Sequence, residues 1–233
     1  MVYVTTGNNY TKPATATSDA FVALKGKNGM IAWKTQLVAN DTGQIEADFG
    51  DSPHIYTISN GTTVEKVVGA GEKETGKYWV LDAATGDMVG SIQAVPSCAG
   101  SEGLFATGAV SEGVVFVNGV NCKIQSIPPT GAVIALKSES DASGKLEMEK
   151  LWDFTSHLGG APVLSGLAVA NGVVYFHTSG FSSTLFALNT TTGKMLAQVP
   201  TSGGISGPSV SHGQIYIGTG TKFASGVGVL PPA

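Results

Sequence analysis

The feature that most constrains the fold is a phrase of sequence that recurs four times. Each copy has a short strand of β-branched or aromatic residues, a loop, a second strand that ends in Ala-Leu or Val-Leu, and a polar turn with glycine. The final leucines of the second strands lie 57, 55 and 52 residues apart, at Leu24, Leu81, Leu136 and Leu188. Repeats of this length built from short strands are typical of propeller blades. The sequence therefore predicts an all-β fold, a β-propeller of four-stranded antiparallel blades with about four blades present.

The repeat also predicts the organisation of the chain. We expect a single partial propeller domain over residues 1–233, with repeat units at about 2–65, 66–113, 114–172 and 173–233. Three arrangements fit four blades: half of an eight-bladed propeller, a closed four-bladed propeller, or two chains that pair to make eight blades. We favour half of an eight-bladed propeller, because the first unit begins within a blade and unpaired sheet edges are costly.

Composition excludes several classes of function. The net charge of −4 and the low charged fraction of 13% leave no basic surface for nucleic acid. No apolar run approaches the roughly 18 residues that a membrane span requires, and no signal peptide is visible. The two cysteines, Cys98 and Cys122, flank one predicted hairpin region, so either a disulfide or two buried thiols is consistent with the sequence.

The polar turns carry a motif that has a physical explanation. The segment 23–33 has Ala, Gly and Trp at positions 1, 7 and 11, and the turns at 81–86 and 188–193 repeat its first part. Asp, Asn and Thr hydrogen-bond the turn backbone, Gly adopts a positive φ, and Trp33 would pack between neighbouring blades. This pattern resembles the tryptophan-docking motif of the pyrroloquinoline-quinone (PQQ) propeller superfamily, which also contains scaffold proteins without a cofactor.

Three further stretches resemble the quinoprotein alcohol dehydrogenases, most closely their polyvinyl-alcohol-dehydrogenase-like branch. They are VTTGNN at 4–9, EADFGDSP at 46–53 and GAGEKETG at 69–76. The resemblance covers nearly the whole chain but only the second half of a family member. It implies oxidation of a small alcohol or polyol by hydride transfer to a quinone, with PQQ and Ca²⁺ as cofactors. It also implies an external electron acceptor such as a cytochrome c, and a periplasmic or secreted location.

The resemblance gives one residue in each stretch a role. Asn8 would bind Ca²⁺ and the cofactor, Asp48 would be the catalytic base and a second metal ligand, and Lys73 would contact the quinone oxygens. Their chemistry is compatible, because Ca²⁺ prefers oxygen ligands, a carboxylate can take a proton and an ammonium stabilises an oxyanion. Each residue also has a structural alternative: a turn cap for Asn8, a solvated acidic loop for Asp48, and a surface ion pair with a flanking glutamate for Lys73.

The sequence leaves a second function open. Family members supply a further acidic Ca²⁺ ligand and a ring stacked on the quinone from earlier blades, and neither has a counterpart in this sequence. No C-x-x-C-H haem motif is present either. The alternative is a non-catalytic PQQ-like propeller that acts as a protein-binding scaffold. In either case the remaining propeller half or a second chain is an expected partner.

Overall fold

The chain folds into consecutive antiparallel sheets. The computed structural model describes residues 1–39, 41–42, 48–59, 64–96, 103–121, 130–141, 145–155, 157–158, 160–180, 182–202, 204–218, 222–224 and 228–230. In these ranges there are strands and turns but no helix. Accordingly, the described part of the chain has no helix that is long and apolar enough to cross a membrane.

The first four sheets account for most of the structure. A three-stranded sheet contains β1 (Val2–Thr5), β2 (Ala20–Leu24) and β3 (Ile31–Gln36). The second sheet contains β4 (His54–Ser59), β5 (Val64–Gly71), β6 (Lys77–Asp82) and β7 (Met88–Gln93). The third contains β8 (Gly103–Ser111), β9 (Val114–Asn121), β10 (Thr130–Ser140) and β11 (Leu146–Phe154). The fourth contains β12 (Ala168–Ala170), β13 (Val173–His177), β14 (Ser182–Asn189) and β15 (Met195–Ser202).

Two short hairpins follow these sheets. One pairs β16 (Ser209–Ser211) with β17 (Gln214–Tyr216), and the other pairs β18 (Lys222–Ala224) with β19 (Gly228–Leu230). In every larger sheet the strands pair in chain order and antiparallel, which is the meander of a propeller blade. The prediction of an all-β propeller with about four blades is therefore confirmed.

The repeated turns have the geometry that the motif predicts. In the turn after β6, Asp82 Oδ1 accepts hydrogen bonds from the backbone N–H groups of Ala84 and Thr85, at 2.8 and 2.7 Å. Gly86 then has a φ of 80°, in the left-handed region that favours glycine. The turn after β14 is built in the same way around Asn189. At the leucine of each repeat the register with the next strand shifts, so a bulge recurs in all four larger sheets.

Tryptophans join one blade to the next. The indole of Trp33 lies on Gly86, where a Cβ atom would be only 2.5 Å from the ring, and its Nε1 donates to the carbonyl of Ala83 at 3.2 Å. Trp152 makes the same contact with the turn of the fourth sheet, donating to the carbonyl of Thr190 at 2.9 Å. The predicted packing of Trp33 between neighbouring blades is thus confirmed, and Trp152 repeats it.

The hydrophobic core lies between consecutive sheets. One cluster joins the first and second sheets around Phe21 and Leu81, and a second joins the second and third sheets around Tyr78 and Ile134. The third cluster lies between the third and fourth sheets and includes Phe176. Burial of these side chains fixes the blades against each other, and it brings the loops at one end of the first two sheets together. The predicted disulfide or thiols of Cys98 and Cys122 lie outside the described residues.

Candidate functional site

The three residues that the resemblance selected lie on three different connections. Asn8 follows β1, Asp48 lies in the segment between β3 and β4, and Lys73 is in the turn between β5 and β6. In the two hairpins, the ends that carry Asn8 and Lys73 are equivalent, because Thr5 pairs with Phe21 in the first sheet as Gly71 pairs with Tyr78 in the second. Equivalent ends of neighbouring blades face the same side of a propeller, so residues far apart in sequence meet there.

Asp48 is the residue through which the other two are joined. The backbone N–H of Asn8 donates to Asp48 Oδ1 at 2.8 Å, and Lys73 Nζ forms an ion pair with Asp48 Oδ2 at 2.8 Å. The backbone N–H of Lys73 also donates to the carbonyl of Asp48 at 2.9 Å. The Asn8 contact to Asp48 uses its backbone, so its side-chain oxygen is not required for that contact.

Burial distinguishes this ion pair from an ordinary surface pair. The side chains of Lys73 and Asp48 are only 10% and 18% exposed. A charged pair with this little access to water interacts more strongly than an exposed one, and removing one partner leaves a poorly solvated charge. The structural alternatives placed Lys73 in a surface ion pair and Asp48 in a solvated loop. The low exposure of both side chains does not agree with either alternative.

An open cleft adjoins the pair. Its volume is about 420 Å³, and its lining consists of Gly7, Asn8, Tyr10, Asp48, Phe49, Gly50, Lys73 and Phe105. Gly7 must be glycine for the cleft to keep its shape, because a Cβ atom there would be 2.6 Å from Asp48 Oδ1. The aromatic rings supply an apolar wall, and the ion pair supplies both a hydrogen-bond acceptor and a donor.

Glu72, the residue before Lys73, does not line the cleft and has its own partners. It is 1% exposed, and its Oε2 accepts hydrogen bonds from Trp79 Nε1 and Thr75 Oγ1, both at 2.7 Å. Its other oxygen, Oε1, has no hydrogen-bond partner among the described residues. Glu72 therefore has a buried carboxyl oxygen without a described partner at the position next to Lys73 in the chain.

The sequence interpretation missed Asp19, which is fully buried beside this site. Its N–H donates to the carbonyl of Gly7 at 3.1 Å, yet neither carboxylate oxygen has a hydrogen-bond partner in the described part of the chain. Desolvation, together with the negative charges of Asp41, Asp48 and Glu72, raises the pKa of Asp19 to about 7. Its φ of 46° is the one local sign that it is unusual, and the sequence does not display it.

A second missed residue is Asp51, three positions after Asp48. Its side chain is buried, and two backbone N–H groups from other strands donate to it. Asp51 lies in the stretch 46–53, but that stretch does not reveal this role, because the two N–H donors are 20 and 57 residues away in the chain. Together with Asp19 it shows that the interior around the cleft is rich in carboxylates.

Comparison with known proteins decides the family. The family model PQQ_2, described as outer membrane protein assembly factor BamB, matches residues 2–227. The chain belongs to this family. The tryptophan-docking contacts described above are consistent with this assignment. No curated protein matches the chain by sequence.

Solved structures show the same fold as this PQQ_2 member. Quinohemoprotein alcohol dehydrogenase from Comamonas testosteroni has a TM-score of 0.62 and 16% identity, over 89% of this chain and 40% of that one. Quinohemoprotein alcohol dehydrogenase ADHIIG from Pseudomonas putida HK5 has a TM-score of 0.59 and 14% identity, over 88% of this chain and 39% of that one. At such identities the likeness establishes the fold alone, and the chain spans about two fifths of each of these structures.

Proposed function

We propose that the chain forms the catalytic side of a PQQ-dependent alcohol dehydrogenase-like protein that oxidises an alcohol or polyol. The observation that carries the proposal is the meeting of Asn8, Asp48 and Lys73 at one cleft, although they come from three connections of two blades. Asp48 lies 40 residues from Asn8 and 25 from Lys73. A base, an oxygen ligand and a cation at one cleft are what alcohol oxidation by a metal-bound quinone requires.

The residues present fit the two implied groups. The carboxylate of Asp48 and the side-chain amide oxygen of Asn8 are hard oxygen donors of the kind that Ca²⁺ prefers. The buried carboxyl groups of Asp19 and Glu72 each have an oxygen without a hydrogen-bond partner among the described residues, so further oxygen donors lie near the site. In the described ranges no group of three or more acidic, histidine or cysteine side chains forms a complete metal site. The remaining ligands would come from the quinone and from other parts of the propeller.

Each residue of the chain would have a definite task in the reaction. When bound, the Ca²⁺–PQQ pair would supply the acceptor for the hydride of the alcohol. Asp48, a carboxylate in its ion pair with Lys73, would accept the hydroxyl proton on a carboxylate oxygen. Lys73 Nζ would donate hydrogen bonds to an oxygen that becomes negative during the reaction. Phe105 and Phe49 would keep the alcohol carbon against the apolar wall of the cleft and limit water there.

The proposal extends to the assembly and its surroundings. The chain would be half of an eight-bladed propeller, completed by the remaining half or by a second chain. Electrons would leave to an external acceptor such as a cytochrome c. We propose a periplasmic or secreted location. The description of the PQQ_2 family model, outer membrane protein assembly factor BamB, supports it.

Dye-linked turnover tests the proposal. The complete protein is incubated with PQQ and Ca²⁺, and reduction of a dye is followed on addition of a primary or secondary alcohol. We expect turnover in the wild type and a loss of about 100-fold or more in Asp48→Asn, which cannot take the proton. The matched control is Asp153→Asn, since Asp153 is an exposed partner of Lys150 on the outer strand of the third sheet. Absence of PQQ-dependent turnover in the wild type, or equal turnover in Asp48→Asn, would refute the proposal.

A second candidate function is a scaffold that binds other proteins without a cofactor. It is favoured by the family description, which names an assembly factor rather than an enzyme. The same preparation distinguishes the two functions: a scaffold would bind neither PQQ nor Ca²⁺ at the cleft, and it would show no PQQ-dependent turnover for Asp48→Asn to reduce.

A further inference from the structure

Asp51 is bonded to three blades at once. Its carboxylate accepts a hydrogen bond from the N–H of Gly71 at the end of β5, at 3.0 Å, and from the N–H of Gly108 in β8, at 3.2 Å. Its carbonyl accepts a hydrogen bond from Thr5 Oγ1 at the end of β1, at 2.7 Å. Its three partners, Thr5, Gly71 and Gly108, are 37 to 103 residues apart in the chain. The residue thus connects the first, second and third sheets.

Each of these segments continues directly into the cleft. Three residues after Thr5 comes Asn8, two after Gly71 comes Lys73, and three before Asp51 comes Asp48. The third-sheet strand that contains Gly108 also carries Phe105, which lines the cleft. A shift of Asp51 relative to any partner would therefore change the distances among the residues of the site.

The chemistry of the side chain explains why a carboxylate is needed there. Two N–H groups point at it from different strands, and a carboxylate has an acceptor oxygen for each. An asparagine has one acceptor oxygen, so its amide group would face one N–H donor with another. Because the site is buried, the N–H that lost its acceptor would be left without water as a substitute.

Neighbouring groups oppose the cost of burying this charge. Desolvation raises the pKa of Asp51, whereas the imidazole of His54 and the backbone N–H groups of Gly71, Gly108 and Ser52 lower it. His54 Nε2 lies 3.6 Å from Asp51 Oδ1, and its Nδ1 lies 3.1 Å from the hydroxyl of Tyr78.

We propose that Asp51 is the positioning residue of the cleft, which fixes Asn8, Asp48 and Lys73 relative to one another by joining the ends of three blades. This inference rests on the proposed function for its effect on catalysis. Its structural part, the positioning of Lys73 against Asp48, stands on the contacts alone. Asp51 does not itself line the cleft, so it acts through the residues that do.

The test compares Asp51→Asn with a matched control. Asp82→Asn also changes a carboxylate that accepts two backbone N–H groups, but it lies at the end of β6 away from the cleft. Asn189 fills the same position in the fourth sheet, so the control turn accepts asparagine. Both variants of the complete protein are examined by circular dichroism, by turnover per PQQ-loaded site, and by the rate at which Lys73 is acetylated with acetic anhydride.

We expect Asp51→Asn to lower kcat per loaded site by roughly 10- to 100-fold with a smaller change in KM, because misplaced groups slow the chemical step. Acetylation of Lys73 should become several-fold faster as its ion pair with Asp48 loosens. Asp82→Asn should match the wild type in both. Unchanged kcat per loaded site and unchanged Lys73 acetylation in Asp51→Asn would overturn the proposal, even if thermal stability fell.

If Asp51→Asn does not fold, a milder variant tests the positioning role of Asp51. Thr5→Val keeps the shape of the side chain but removes the bond to the Asp51 carbonyl, and we expect faster Lys73 acetylation in it than in the wild type. Wild-type acetylation kinetics in Thr5→Val would then overturn the proposal. If the wild type has no PQQ-dependent turnover, the proposed function fails, while the acetylation rates still test the positioning role.

Discussion

Asp19→Asn should gain stability relative to the wild type as the pH rises from acidic to neutral. The buried carboxyl of Asp19 has no hydrogen-bond partner in the described ranges. Burial, together with neighbouring negative charges, raises its pKa from 3.8 to about 7. Between these two values the folded state keeps a proton that the unfolded state has lost. The folded state then binds more protons, so the free energy of unfolding falls as the pH rises from about 4 to 7. Asparagine does not titrate, so the variant escapes this loss.

The size of the effect follows from the two pKa values. A pKa of about 7 against 3.8 gives a change of about 2.5 kcal/mol in the free energy of unfolding between pH 5 and pH 8. Water in the nearby open cleft screens part of this, so we expect about 2 kcal/mol. Asparagine also suits the backbone, since the φ of 46° at this position is one that asparagine adopts more readily than most residues.

Urea unfolding at pH 5, 6, 7 and 8, with a chelator present so that no divalent ion contributes, measures the effect. The difference in unfolding free energy between Asp19→Asn and the wild type should move in favour of the variant by about 2 kcal/mol across this range. The same difference for Asp153→Asn should stay flat, because Asp153 is exposed. A flat difference for Asp19→Asn as well would refute the reasoning, since it would mean that Asp19 ionises at an ordinary pH.

Two further substitutions test the packing. Gly86→Ala should destabilise the protein by about 2–4 kcal/mol, because it combines a positive φ with a Cβ that meets the Trp33 ring. The control Gly113→Ala has a φ of 77° but open space around the new Cβ, so it should cost only about 1–2 kcal/mol. Equal losses in urea unfolding would contradict the docking role of the tryptophan. Tyr78→Phe should cost about 1–3 kcal/mol by removing the buried hydroxyl beside His54 Nδ1, and a loss no greater than that of the exposed Tyr216→Phe would show that this contact contributes nothing.

The blade pattern was predictable because its determinants are local. In the turns at 81–86 and 188–193 the leucine, the Asp or Asn and the glycine with positive φ lie within six residues, and the structure has a bulge and a tight turn at both. Trp152 does not fit the spacing of the motif, in which Ala and Trp stand at positions 1 and 11, for a physical reason. It pairs with Ala135 as Trp33 pairs with Ala23, but the hairpin between them is seven residues longer. A rule based on register would have found it where a rule based on sequence distance did not.

The cleft was predictable only in part. Asn8, Asp48 and Lys73 were selected by resemblance, and the structure brings them into contact; their roles as ligand, base and quinone contact stay predictions. Asp19 and Asp51 were missed because their importance depends on contacts across blades. A buried carboxylate cannot be recognised from neighbours in the sequence when the groups that surround it come from other strands.

Calorimetric titration of PQQ into the complete protein tests the central claim most directly, because it measures whether the cleft holds the cofactor at all. We predict binding in the presence of Ca²⁺, loss of binding in a chelator, and affinity at least about 10-fold weaker in Lys73→Met, which removes a charged hydrogen-bond donor. No binding with Ca²⁺ present, or binding that neither the chelator nor Lys73→Met changes, would contradict the account.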